Sequence, residues 1–165
     1  MARLSEDMAV GEASAWRAVL VSRLVVWAAG VGAVVAWGVH DRNSVAFDPT
    51  GLTRPFGTLG DDLVAPAARW DTVWFEHIAR DGYDAQRAAF FPLYPLLVRA
   101  LGFVVRSDLV AGILLSLVCF GLALVLLERL VALDFGRDVA RLTVWIVALF
   151  PAAVWFSAVY SEALF

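Results

Sequence analysis

Carboxylates gather in one stretch of this 165-residue chain: Asp41, Asp48, Asp61, Asp62, Asp71, Asp81 and Asp84 all lie within residues 40–84. Most sit among turn formers and read as solvated loop acids. Asp71 differs, because Arg69 and Trp70 precede it and Trp74 and Phe75 follow. A carboxylate against apolar rings is partly stripped of water, which strengthens it as a base and suits proton abstraction. The same residue also stands where a helix N-cap would accept from free backbone N–H groups, and the two roles are compatible. A second acid, Glu162, closes the last apolar run beside Tyr160 and Ser161. A carboxylate at the rim of an apolar span is costly and points to function, unless it simply marks the end of the span. Asp61 and Asp62 read either as an exposed turn or as part of a divalent-cation site, and two diverging carboxylates leave a cation shell incomplete. His40 and His77 have no partner histidine at ligand spacing, and Cys119 is the single cysteine. Neither a metal site nor a disulfide framework is therefore expected, nor any cofactor. A Gly-rich phosphate loop and a nucleophile elbow are both missing from the sequence.

These residues must be held by elements suited to a bilayer. Hydrophobic residues make up 61% of the chain and charged residues 18%, with a mean hydropathy of +0.76. That balance excludes a disordered chain and an ordinary soluble domain. A net charge of −3 gives no sign of nucleic-acid binding. About 20 apolar residues cross the ~30 Å of hydrocarbon, and three stretches meet the requirement: residues 18–39, 109–130 and 141–161. Their uncharged parts are Leu24–Val39, Leu109–Leu127 and Leu142–Ser161. Arg23 falls near the start of the first, where a long side chain reaches back to water. All thirteen basic residues are arginine. With three spans, Arg3, Arg17 and Arg23 share a side with Arg129, Arg137 and Arg141, and the positive-inside rule makes that side the cytoplasm. Residues 1–17 then form a polar cytoplasmic tail, 131–140 a cytoplasmic loop, and 40–108 an external loop. Gly30, Gly32 and Gly38 allow close helix contact in the first span. The final residues run on in apolar character without a charged stop, which predicts an N-terminal portion of a longer membrane protein.

Within the external loop, residues 40–66 are rich in turn formers and read as irregular. Residues 69–84, RWDTVWFEHIARDGYD, read as a short amphipathic helix over about 71–81. Trp74, Phe75, Ile78 and Ala79 fall at helical spacing, Glu76 and Arg80 form an i,i+4 pair, and Gly82 suits the position after the last turn. The helix is expected to lie on the outer membrane surface with its rings at headgroup depth. Residues 88–105 carry Pro92 and Pro95 and a central Arg99, and read as an interfacial helix over about 93–105 rather than a crossing. Pro151 is expected to kink the third span. The fold class is therefore all-α: a polytopic transmembrane helical bundle with short interfacial helices in the first external loop, forming a single membrane domain over residues 1–165.

Three blocks, RWDTVWFEHIARDGYD, AFFPLYPLLVR and FPAAVWFSAVYSEALF, occur in that order. Together they resemble the N-terminal signature blocks of the GPI mannosyltransferase 2 (PIG-V-like) family, including its bacterial members. The resemblance implies a glycosyltransferase of the GT-C type in a bacterial plasma membrane. Such an enzyme takes a sugar, typically mannose, from a polyprenyl-phosphate carrier and passes it to an acceptor on the outer face. Asp71, in the Trp70–Asp71 pair, matches the position of the expected base. Tyr160 and Glu162 match the third block and are expected to line the site. Arg69 and Arg87 are candidates to grip the donor phosphate with forked hydrogen bonds. The alternative from another class is a non-catalytic membrane scaffold or assembly subunit, which would have no use for Asp71. A transporter component would place ionisable groups in mid-span, where these spans carry few.

Overall fold

The three apolar stretches fold into two long helices and one broken one. The computed structural model describes residues 2–38 and 48–165. Its elements are α1 (Ala2–Trp37), α2 (Gly57–Val64), α3 (Thr72–Asp81), α4 (Leu93–Val105), α5 (Asp108–Phe135) and α6 (Arg137–Leu149), followed by 3-10 segments at Pro151–Ser157 and Ser161–Ala163. No strand occurs among the described residues, as the all-α class requires. Ala13–Trp37 within α1, and α5, are long and apolar enough to cross a bilayer. Helix α6 and Pro151–Ser157 make a third span only as a pair bent by 77°. Pro151 lacks an N–H and its ring excludes the preceding turn, so the helix stops before it.

Several predicted boundaries move. Residues 2–17, expected as a tail, continue α1, while Val39, His40 and Asp41 lie outside the described residues. The second span runs on to Phe135 and α6 starts at Arg137, so the expected loop 131–140 contracts to Gly136. That residue turns the chain at φ +82°, which costs a glycine little. The stretch expected to be irregular contains α2. Asp61 accepts from the Phe56 N–H at 2.8 Å, and Trp27 Nε1 donates to the Leu63 carbonyl at 2.7 Å, which fixes α2 to α1. Gly30 lets this loop approach: a Cβ there would sit 2.7 Å from Cβ of Pro66. Gly32 has no such neighbour.

The expectation that Arg23 reaches water does not hold. It is 6% exposed, in line with Ala15, Ala18, Val19 and Ser22 on the buried stripe of α1. Its guanidinium donates to the carbonyls of Ala148 (2.8 Å) and Ala153 and to Ser157 Oγ (2.7 Å), and it lies 4.8 Å from the Phe120 ring centre. The last carbonyls of a broken helix lack intrahelical partners. Arg23 supplies them at the bend of the third span.

Helix α3 also departs from its expected setting. Phe75 and Ala79 join Tyr94 and Val98 of α4 and Leu109 and Ala111 of α5 in one core cluster, and Ile78 is buried as well. The apolar face assigned to the membrane surface is covered by protein instead. Burying it against two helices removes more apolar area from water than a helix half-sunk at headgroup depth would.

Candidate active site

Two long-range hydrogen bonds, one between backbones and one from a backbone N–H to a side chain, close the chain into a site. The Val159 N–H donates to the Ala67 carbonyl at 3.2 Å, and the Asp71 N–H donates to the Tyr160 hydroxyl at 2.9 Å. The segment after Pro151 thereby lies against the start of α3, with Val159 seated on Gly112 of α5, where a Cβ would be only 2.5 Å from Val159 Cγ1. Ser116 Oγ, bonded to the Tyr94 hydroxyl at 2.7 Å, sits 3.4 Å from the Tyr160 carbonyl.

Aromatic rings build the wall. Trp70 adopts left-handed backbone at φ +49°, unusual for a large residue, and is 62% exposed. Its ring meets Trp155 edge-on at 4.7 Å between centroids. Trp155 in turn lies 5.5 Å from Tyr160, which is 6.3 Å from Phe75. Burial pushes the Tyr160 hydroxyl up to about 12. The charges of Asp71 and Glu162 push it the same way, and the Asp71 N–H opposes them. Both carboxylates therefore act on one phenol, which keeps its proton throughout the physiological range.

Asp71 occupies the N-cap position of α3, but its side chain makes no capping hydrogen bond. The helix start is closed by the Asp71 carbonyl, which accepts from the N–H groups of Trp74 (2.9 Å) and Phe75 (3.1 Å). The side chain does not take the capping role. It is exposed, so the neighbouring rings do not strip it of water as expected, and it is left available to a ligand. Glu162 is exposed too.

The remaining candidates are less closely gathered. Arg69 Nε donates to the Ala65 carbonyl at 3.0 Å, which fixes the guanidinium stem next to Trp70 and Asp71 in the chain. Arg87 is held elsewhere, paired with Asp84 at 3.1 Å in a turn where Asp84 also accepts from the Gln86 and Arg87 N–H groups. The Arg87 Nε is buried without a hydrogen-bond partner. His77 pairs with Asp81 at 3.2 Å. Among the described residues no group of three or more His, Cys, Asp or Glu side chains could hold a metal ion.

The predicted Glu76–Arg80 pair is not formed. Glu76 is 4% exposed and its Oε1 has no partner, whereas Arg80 turns outward to Asp81 (3.9 Å). Burial, and then the charges of Asp108 and Asp48, push the Glu76 carboxyl up to about 8. Asp48 is buried as well, yet it is held below the usual carboxylate range. Burial raises it, but hydrogen bonds outweigh that: Thr53 N–H at 2.8 Å, Thr53 Oγ1 at 2.7 Å and Leu52 N–H at 2.8 Å, with the Gly51 N–H adding to them. The sequence reading missed Glu76 as a buried acid, Trp155 as a wall of the site, and Arg23 as the brace of the bend. Glu76 lay in view, because Thr72, Phe75, Glu76 and Ala79 fall at i, i+3, i+4 and i+7, one face of the helix.

Residues 34–165 match the sequence profile of the mannosyltransferase (PIG-V) family. The chain is 32% identical over 127 residues to GPI mannosyltransferase 2 of Drosophila pseudoobscura pseudoobscura, an alignment covering 67% of this chain and 28% of that relative. The chain thus spans little more than a quarter of the curated relative's length. No solved structure shows significant similarity. Matched over most of its length, and carrying helices long and apolar enough to cross a bilayer, the chain is an integral membrane protein that belongs to the mannosyltransferase (PIG-V) family.

Proposed function

We propose that these residues form the acid-bearing N-terminal part of a membrane mannosyltransferase. It moves mannose from a polyprenyl-phosphate donor to an acceptor hydroxyl on the outer face, with the N-terminus in the cytoplasm. The observation that carries this reading is the junction of the first and third blocks, with Tyr160 bonded to the Asp71 backbone and Glu162 near the same phenol. A scaffold has no need to hold a free carboxylate at such a junction.

In the reaction Asp71 takes the proton of the acceptor hydroxyl while that oxygen attacks the anomeric carbon. The bond from that carbon to the phosphate oxygen breaks, and the electron pair leaves with the lipid phosphate. The leaving group is already a stable anion, so no strong acid is required. An arginine has five N–H donors. Arg69 commits Nε to Ala65, and its forked end is the first candidate for the departing phosphate, ahead of Arg87, which is tied to Asp84. Trp70 offers an exposed ring for the sugar to stack on. The apolar spans hold the prenyl chain.

The test is transfer of labelled mannose from a synthetic polyprenyl-phosphate donor by membranes holding the complete protein. Asp71→Asn lowers transfer by about 10²–10⁴-fold, the usual worth of a positioned base, while membrane insertion persists. Normal transfer by that variant removes Asp71 from the role.

A further inference from the structure

Away from Asp71, at the other end of α3, an open groove of about 640 Å³ is lined by three arginines from three different places in the fold. Arg80 comes from the last turn of α3, Arg99 from the middle of α4, and Arg106 from the residue that ends α4. We propose that this groove binds the phosphate headgroup of an anionic phospholipid, as a site separate from the one at Asp71.

Charge is the first argument. Within the lining, Asp108 is the one carboxylate facing the three arginines, and Asp81 beside Arg80 lies outside it. Asp108 offsets part of that charge, since Arg99 and then Arg80 act on it, and it also opens the first turn of α5, where a negative charge suits the helix N-terminus. It also packs over Gly102 of α4, so closely that a Cβ there would lie 3.2 Å from the Asp108 Cα. The groove keeps a positive excess inside a chain whose net charge is −3.

Backbone geometry is the second. Arg106 sits at φ +61° and ψ +25°, the left-handed position that ends a helix and that glycine fills at least cost. An arginine accepted there against its own strain marks a side chain with a task.

The third argument is the apolar flank. Leu96 and Phe103 line the same groove, and Phe103 is 90% exposed. Thirteen residues of α4 extend about 20 Å, too short to cross a bilayer, and α5 starts its apolar run beside them. Guanidinium groups next to exposed hydrocarbon at the head of a span suit a lipid, with phosphate on the arginines and acyl chain along Leu96 and Phe103. A small soluble anion would leave that flank bare.

The groove is not the place for a phosphate that departs from a sugar attacked at Asp71. Arg80 lies nine steps along the chain from Asp71, a helical rise of about 13 Å, whereas reacting atoms must approach to about 3–3.5 Å.

The experiment is native mass spectrometry of the complete protein, delipidated and then exposed to equal phosphatidylcholine and phosphatidylglycerol. Wild type retains phosphatidylglycerol preferentially. Arg99→Gln and Arg106→Gly each lower the preference about fivefold, the usual effect of one arginine at an anionic surface. Arg106→Gly relieves the backbone while removing the guanidinium, so loss of binding there is not loss of fold. Retention of the two lipids unchanged in both variants overturns the proposal. So does displacement of phosphatidylglycerol by millimolar inorganic phosphate, which would mean a site for small anions.

Discussion

Replacing Arg23 by methionine removes the brace of the bend in the third span and leaves a shorter, unbranched apolar side chain. Three acceptors lose their donor: the carbonyls of Ala148 and Ala153 and the Ser157 hydroxyl. All three belong to buried residues. Hydrogen bonds inside membrane proteins are worth about 0.6 kcal/mol on average and up to about 1.7, so three give about 2–5 kcal/mol. Releasing a buried charge recovers part of this, but no apolar replacement donates to those carbonyls, and Pro151 blocks a continuous helix that would satisfy them. The net effect is destabilising. At about 2–4 °C per kcal/mol for a chain of this size, thermal unfolding in detergent falls by about 5–15 °C. Arg23→Lys, with three donors on a flexible stem, recovers part of the loss. The bend also sets where Trp155 and Tyr160 meet Trp70 and Asp71, so Arg23→Met lowers mannose transfer as well. A methionine variant that unfolds at the wild-type temperature and transfers at the wild-type rate refutes the assignment of Arg23 as a brace.

Tyr160→Phe removes the acceptor of the Asp71 N–H. The loss of about 1 kcal/mol appears in stability assays of the complete protein, with a drop in kcat as the start of α3 loosens; an unchanged kcat and stability would show that the contact is incidental. Glu76 sets a pH dependence of stability. Its folded carboxyl titrates near 8, above its ordinary 4.5, so the folded state holds a proton that the unfolded state has lost between those values. Its stabilising contribution is complete below about pH 4.5 and is lost as pH rises through 8. Glu76→Gln, a neutral mimic, flattens that slope in denaturation followed across the window. The same slope in variant and wild type would place the titration on another group.

The apolar spans were legible because they follow from composition. The apolar runs located two long helices, each of which extends beyond its predicted bounds, and Pro151 announced the break in the third. The three blocks pointed to Asp71, Tyr160 and Glu162, and in the fold the Asp71 N–H meets the Tyr160 hydroxyl at 2.9 Å. What could not be read was which of two polar neighbours turns inward. Glu76 and Arg80 satisfy the spacing of a surface ion pair, yet position 76 shares a face with Thr72, Phe75 and Ala79, and tertiary packing decided the matter. Arg23 illustrates the same limit: its place at the end of the Ala15, Ala18, Val19 and Ser22 stripe was visible, but the carbonyls it satisfies exist only once the distant helix breaks. Helix α2 was hidden by Gly57, Gly60 and the Asp61–Asp62 pair, which carry turn signals locally and are held in a helix by contacts to α1.

The central claim is that the first loop and the end of the third span close on each other around Asp71. Cross-linking tests it directly: cysteines placed at 70 and 155 in the complete protein, with Cys119 changed to serine, and a short bifunctional thiol reagent applied to native membranes. The 4.7 Å separation of the Trp70 and Trp155 rings predicts efficient linkage between the two positions. Cysteines that react singly, from opposite sides of the membrane and without linkage, contradict the account.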